Sequence, residues 1–428
     1  MVTRRLFIQS GGLAAFAAGA MAPMFFGNAA LAAMGSNARK KVLVVVYQRF
    51  GMDGLLAVSP YTSESLARLR PHMTLPAPGS GKENALLDLD GQYGLHPALS
   101  ALAPLYRDGS LAIIHAAGSP HNSRSHADAA QWWESGTPGN KATADGWLNR
   151  ALAAAPDGEG RLLRAASLTP EQPRILYGAQ PVTSITDLDQ LALGLRPPAG
   201  NSASMSAVER LYAESDNAAL RTAGKLSFEA ARVLAVAKNT ASSAANYPEN
   251  STFASGMRNI AQLIKADIGL QVAFAESRSG ANAMGSWDTH SKALDAAGKF
   301  SFPPVARDFA NTVAAFWDDL GRHRDDVVLV THTDFGRNVV GNDGAGADHG
   351  RATAIFALGQ NIKGGKIYGE LPERFERDAL EDQIDLPVTT DYRAVLTELA
   401  GTQLDIKPDR DSTLFPGWNG TRMSLTRA

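Results

Sequence analysis

The stretch Lys41-Val-Leu-Val-Val-Val-Tyr47 constrains the fold most, because it is an uninterrupted apolar run of β-branched character with no polar face. Such a strand cannot sit in a sheet that shows one side to water. It belongs at the centre of a parallel sheet covered on both faces. Similar runs occur at Leu111 to Ala116, Arg174 to Tyr177, Gln271 to Ala275, Val327 to Thr331 and Ala354 to Leu358. Helical patterns lie between several of them, at Pro97 to Tyr106, Met257 to Ile268, Pro304 to Leu320 and Asp391 to Leu399. This alternation predicts an α/β fold with a mostly parallel central sheet and helices on both faces. The stripe Phe309, Val313, Phe316 and Trp317 reads as a helix face packed on that sheet. Gly364-Gly365 followed by Lys366 to Gly369 predicts a tight turn and a short strand, and Glu370 to Asp382 a surface loop or short helix.

From about Leu191 to Asn250 the texture changes to Pro, Gly and Ser, then an alanine-rich helical pattern from Ala207 to Lys238, then Pro248. This predicts a helical insertion, placed as a cap. With 41 basic and 43 acidic residues in 428, and no sustained Lys/Arg run beyond the N-terminus, the chain has no electrostatic footprint for nucleic acid. It has no cysteine, which excludes disulfides and thiolate chemistry.

The first residues carry an address. Thr3-Arg4-Arg5-Leu6-Phe7-Ile8-Gln9 resembles the twin-arginine export signal; an apolar stretch from Gly11 to Phe26 follows, and Ala30-Leu31-Ala32 offers a small-x-small cleavage site. The stretch is short and weakly apolar for a spanning helix. Residues 1–32 therefore read as a signal peptide, and residues 33–428 as a single α/β domain with no stable membrane span. The twin-arginine translocase is the partner expected during export, and the periplasm or the exterior the working compartment.

Acids, histidines and a serine fall just beyond the strand patterns, where an α/β sheet keeps its chemistry. Asp53 follows the first strand between Gly51 and Gly54, as a ligand or as a helix cap. After the second comes Gly118-Ser-Pro-His121-Asn-Ser123-Arg124-Ser125-His126, in which Ser125 is a nucleophile or an N-cap at the start of a helix. In Trp287-Asp288-Thr289-His290, Asp288 and His290 are spaced to face one cation. The loop from His332 to Arg351 supplies Asp334, Arg337, Asp348, His349 and Arg351; of Asp348 and His349, one is a ligand and the other a ligand or its orienter. Carboxylates and imidazoles hold a cation while arginines hold an anion. His96, His115, His72 and His323 have no such context and read as core or surface residues.

These residues resemble the exported bacterial proteins of the domain of unknown function 1501 family, placed in the alkaline phosphatase and sulfatase-like superfamily. The resemblance is carried by the twin-arginine start, Gly51-Met52-Asp53-Gly54-Leu55, Leu95-His96-Pro97, Leu105-Tyr106, Ser125-His126, Trp133, Gly146-Trp147-Leu148, Trp287-Asp288-Thr289-His290, Asp334-Phe335-Gly336-Arg337, Asp348-His349-Gly350-Arg351 and Gly364-Gly365-x-Ile367-Tyr368-Gly369. It implies an alkaline phosphatase-like sandwich with two divalent cations (Zn, Mn, Mg or Ca) beside a nucleophile. By position it makes Ser125 the nucleophile with His126 beside it, and Asp53, Asp288, His290, Asp334, Asp348 and His349 the metal set. Arg124, Arg337 and Arg351 would clamp the oxygens of the substrate. Three features depart from the pattern. Phe335 follows Asp334 where a histidine is usual, Asp334 itself stands where glutamate is usual, and Phe50 replaces a glycine.

Two functions follow as expectations. One is a metal-dependent hydrolase or transferase acting on a phosphate or sulfate ester, small or part of an envelope glycan. The other is a catalytically inactive relative that serves as a periplasmic binding or assembly module.

Overall fold

A computed structural model describes residues 41–156, 163–186, 209–218, 220, 221, 224, 245–278 and 285–427. The expected export signal, and most of the expected helical insertion, lie outside these residues.

The chain forms twelve strands among the described residues: β1 (Val42–Gln48), β2 (Val58–Pro60), β3 (Leu87–Asp88), β4 (Tyr93–Leu95), β5 (Leu111–Gly118), β6 (Ala165–Ser167), β7 (Thr183–Ser184), β8 (Val272–Ser277), β9 (Val327–His332), β10 (Thr353–Gly359), β11 (Lys366–Tyr368) and β12 (Thr390–Asp391). Nine make one sheet in the order β11-β5-β10-β9-β1-β8-β6-β7, with β12 also on β5, while β2, β4 and β3 make a small separate one. Every pairing in the large sheet is parallel except those of β10, which runs antiparallel to both β5 and β9. The mostly parallel α/β sheet expected from the sequence is what the chain builds.

The first strand shows why. Val42, Val44 and Val46 belong to one hydrophobic core, with Phe253, Met257, Phe309, Phe316 and Trp317. Leu43, Val45 and Tyr47 belong to another, with Trp133, Trp147, Leu148, Val395 and Leu399. Side chains alternate across a strand, so a run that is apolar at every position needs helices on both sides. They are supplied by Thr252–Lys265 and Phe302–Leu320 on one face and by His126–Ser135, Trp147–Ala154 and Tyr392–Leu404 on the other. The Phe309, Val313, Phe316 and Trp317 stripe is fully buried, as its spacing implies.

One expected strand is not one. Arg174 to Tyr177 begins as a 3-10 turn, Arg174–Leu176, directly after Pro173, and the Ile175 N–H donates to the Glu134 carboxylate at 3.0 Å rather than to a neighbouring strand. A short apolar run carries no period to separate strand from turn. The slot beside β8 is taken instead by β6, whose three small residues gave no strand signal.

Burial holds three histidines in the neutral form. It pushes His96 and His332 down to about 3 and His115 to about 4; the positive charges of Arg307 and Arg49 add to it at His96 and His332, and the Val58 carbonyl and Asp53 partly oppose it at His115. An unfolded chain takes up these protons below a pH of about 6.5, whereas the folded one resists until near its own depressed values, so stability is full above that pH and is lost on acidification. The melting temperature is expected to fall between pH 7 and pH 4.5, and His332→Phe to flatten that dependence; a variant as acid-sensitive as the parent in a thermal scan would contradict this account.

Candidate metal centre

The site lies at one edge of the large sheet, where β1, β5, β8 and β9 end and the antiparallel β10 begins. That single reversal matters. It places both ends of the segment between β9 and β10 at the same edge, so Asp334 leaves and His349 returns in one place. The segment is a hairpin excursion: Arg337 and His349 form an antiparallel bridge, Asn338 N donates to Asp348 O at 2.9 Å, and Gly336 N to Arg351 O at 2.8 Å. Its glycines permit contact rather than looseness. A Cβ on Gly336 would lie 1.9 Å from the Ala352 carbonyl oxygen, and one on Gly346 2.4 Å from the His290 backbone.

Arg337 joins the loops. Its guanidinium, in a residue that is 1% exposed, donates to the Gly51 carbonyl at 2.8 Å, the Trp287 carbonyl at 3.3 Å, the Phe50 carbonyl and the Asp288 carboxylate. Phe50 adopts a left-handed φ of 80° and Gly51 one of 79° in the turn so held. A glycine at position 50 would make that turn without strain. Thr333 closes the same corner: its Oγ1 donates to the Gln48 carbonyl and accepts from Gly51 N at 3.1 Å and Met52 N at 3.0 Å.

Three imidazoles converge on Asp288. Its Oδ1 is 3.1 Å from His290 Nε2 and 3.5 Å from the Nε2 atoms of both His126 and His349. His290 Nε2 and His349 Nε2 stand 2.9 Å apart. Each ring is anchored by its other nitrogen: His126 Nδ1 to Asp334 Oδ2 at 2.6 Å, His290 Nδ1 to Asp348 Oδ1 at 2.8 Å, and His349 Nδ1 to the Arg124 carbonyl at 2.7 Å. Asp334 in turn accepts from the Tyr47 hydroxyl, and Asp348 from Asn342 at 3.1 Å. His126 stacks on Phe335 with ring centres 4.7 Å apart, and His349 packs on the same ring at 4.8 Å.

The charges reinforce the geometry. Burial would raise the Asp288 carboxyl, but His126, His349 and Arg337 outweigh it and hold the group far below the usual carboxylate range. Burial would likewise lower His126, but Asp288 and Asp334 lift its imidazole to about 9. His290 is the main cause of a lowered Asp348, helped by Asn342 and opposed by burial. An ionised carboxylate amid imidazoles whose outer nitrogens are spoken for could hold a cation, which would displace the proton that Asp288 and Asp334 favour on His126.

The family model described as protein of unknown function (DUF1501) matches residues 110–413. The chain belongs to this family. No curated protein matches it. Solved structures similar to it include the C-terminal periplasmic domain of EcEptC from Escherichia coli in complex with Zn, at 11% identity over 91% of this chain and 89% of that one, with a TM-score of 0.36. Lipoteichoic acid synthase LtaP from Listeria monocytogenes shows 10% identity over 89% and 78% of the chains, with a TM-score of 0.35. Alkaline phosphatase from the Antarctic bacterium TAB5 shows 10% identity over 77% and 94%, with a TM-score of 0.31.

In this DUF1501 chain the structure brings Asp288, His290, His349, His126, Asp334 and Asp348 together, with divided labour. Asp334 and Asp348 stand behind histidines as orienters, and His126 points its Nε2 inward with the other two rings. Asp53 is not brought there. Both its oxygens accept from Arg70 Nη1, at 3.0 and 2.7 Å, and Oδ1 also caps the next helix through Leu56 N at 3.0 Å. Ser125 caps its helix, with Asp128 N at 3.5 Å from Oγ. None of the three arginines is an open clamp: Arg124 pairs with Asp382 and Asp385, Arg351 with Glu381, and Arg337 is spent on the loops. The sequence reading missed Tyr47 and Arg70. Tyr47 had a signal, a polar tip ending an otherwise apolar strand at the functional edge; Arg70 had none. Replacing Arg70 with methionine leaves the buried Asp53 charge unpaired, and is expected to cost about 3–5 kcal/mol of stability in chemical denaturation; a loss under 1 kcal/mol would show the pair to be dispensable.

Proposed function

We propose that this protein is an exported, metal-dependent hydrolase or transferase acting on a phosphate or sulfate ester. The observation that carries the metal part is the convergence of three imidazole nitrogens and one ionised carboxylate, each ring held from behind. The substrate class comes from the family resemblance, and the periplasmic location from the twin-arginine start at Thr3 to Gln9 and the small-x-small site before Ala33. Among the described residues no helix is long and apolar enough to cross a membrane.

When bound, a divalent cation would polarise the ester oxygen and neutralise the charge that develops on it. Asp288, His126, His290 and His349 would hold it. Ser125, exposed and next to His126 at the helix N-terminus, is the hydroxyl assigned to attack, since its 3.5 Å cap contact constrains it weakly. Phe335 shields the rings of His126 and His349 from water on one side. Phe50, 37% exposed, stands edge-on to His126 with ring centres 5.6 Å apart.

One observation favours the second reading, a binding or assembly module without turnover: all three nearby arginines are committed to internal partners, which leaves the substrate's anion without an open guanidinium. The two readings separate in one experiment. Purified protein with its metal retained is expected to hydrolyse aryl phosphate or aryl sulfate esters, Asp288→Ala to lose both metal and turnover, and Ser125→Ala to keep its metal while losing at least about 100-fold in kcat. Metal-replete protein inactive on the whole ester panel would favour the binding module.

A further inference from the structure

We infer that this centre takes a single divalent ion of the nitrogen-preferring first-row class, zinc foremost, and that Asp53 is no part of it. The inference rests on reading the centre as a metal site; it fixes the number and kind of ion.

The donors decide the kind. Three imidazoles and one carboxylate suit zinc and its first-row neighbours, whereas magnesium and calcium collect oxygen ligands. The spacing agrees. Ligands about 2.0–2.1 Å from a tetrahedral zinc stand about 3.3–3.4 Å from one another. Around Asp288 Oδ1 the three Nε2 atoms lie at 3.1, 3.5 and 3.5 Å. Asp288 Oδ1 already accepts from Arg337, so an ion would share that oxygen with the guanidinium; the three Nε2 atoms are less committed. His126 Nε2 is buried without a hydrogen-bond partner. His290 and His349 each turn Nδ1 to an acceptor, the Asp348 carboxylate and the Arg124 carbonyl, so in the neutral rings both Nε2 atoms carry lone pairs. Those lone pairs face each other across 2.9 Å, an arrangement that a shared cation relieves.

The remaining carboxylates decide the number. Asp53 is held by Arg70, whose Nε donates to the Val339 carbonyl at 2.9 Å and whose Nη2 donates to the Asn338 carbonyl. Both oxygens of Asp334 are taken, by Tyr47 and His126. Among the described residues, His126, Asp288 and His349 form a group whose donor atoms all lie within 4.8 Å of one another; His290 stands beside it, 3.1 Å from Asp288 Oδ1 and 2.9 Å from His349 Nε2.

The test uses full-length protein, stripped by a chelator and titrated separately with Zn²⁺, Co²⁺, Mg²⁺ and Ca²⁺, with elemental analysis after desalting. One zinc per chain is expected, with millimolar Mg²⁺ or Ca²⁺ failing to displace it, and a cobalt form showing the intense visible bands of a four-coordinate site. Asp53→Asn is expected to keep one ion, and His349→Ala to weaken zinc binding at least 100-fold. Two tightly held ions per chain, displacement by Mg²⁺ or Ca²⁺, or loss of the ion in a folded Asp53→Asn would overturn the inference while leaving a metal-dependent esterase intact. One bound zinc with no ester turnover would sink the hydrolase reading and leave this inference standing. No ion bound at all would end both.

Discussion

The buried guanidinium of Arg337 is the contact on which the site depends. It lies between the turn after β1, the Trp287-Asp288 segment and its own hairpin, and donates to all three. A charge removed from water needs a counter-charge and filled hydrogen bonds, or burial costs several kcal/mol. Asp288 supplies the counter-charge and the loop carbonyls supply the acceptors. The same bond that makes Arg337 tolerable therefore fixes the carboxylate on which the three histidines converge.

The sheet adds a second constraint. In an all-parallel sheet the residues before a strand lie at the opposite edge from those after one. Because β10 is reversed, the residues ahead of it, Asp348 and His349, arrive where β9 has just delivered Asp334. Close-packed glycines let that hairpin press against the His290 backbone. Phe335, which at the level of sequence marks a missing imidazole, becomes the ring on which His126 and His349 rest.

Roles in the cluster follow from burial and partners more than from residue type. Asp334, Asp348 and Asp288 are all acids beside histidines, yet two stand behind their rings and one in front. Asp334 is buried with both oxygens occupied, and Asp348 shares its oxygen between His290 and Asn342. Asp288 alone meets Nε2 atoms from three directions. Asp53 shares the acid's charge but is neutralised by Arg70, a residue seventeen positions on in the chain.

Sequence by itself determined the central strands, the helices on both faces and the edge at which chemistry would gather. Those follow from local rules: unbroken apolar runs, helical period, and acids and histidines placed just past strand ends. It named the six acids and histidines of the cluster, yet it could not rank them. Whether an aspartate ligates, orients or pairs depends on which nitrogen or guanidinium lies within about 3 Å of it, a distance set by segments far apart in the chain. The direction of β10, the role of Arg70 beside Asp53, the Tyr47 hydroxyl behind Asp334 and the use of Phe335 as a platform are tertiary facts. Each arises from packing between strand ends, where no local pattern in the chain records the partner.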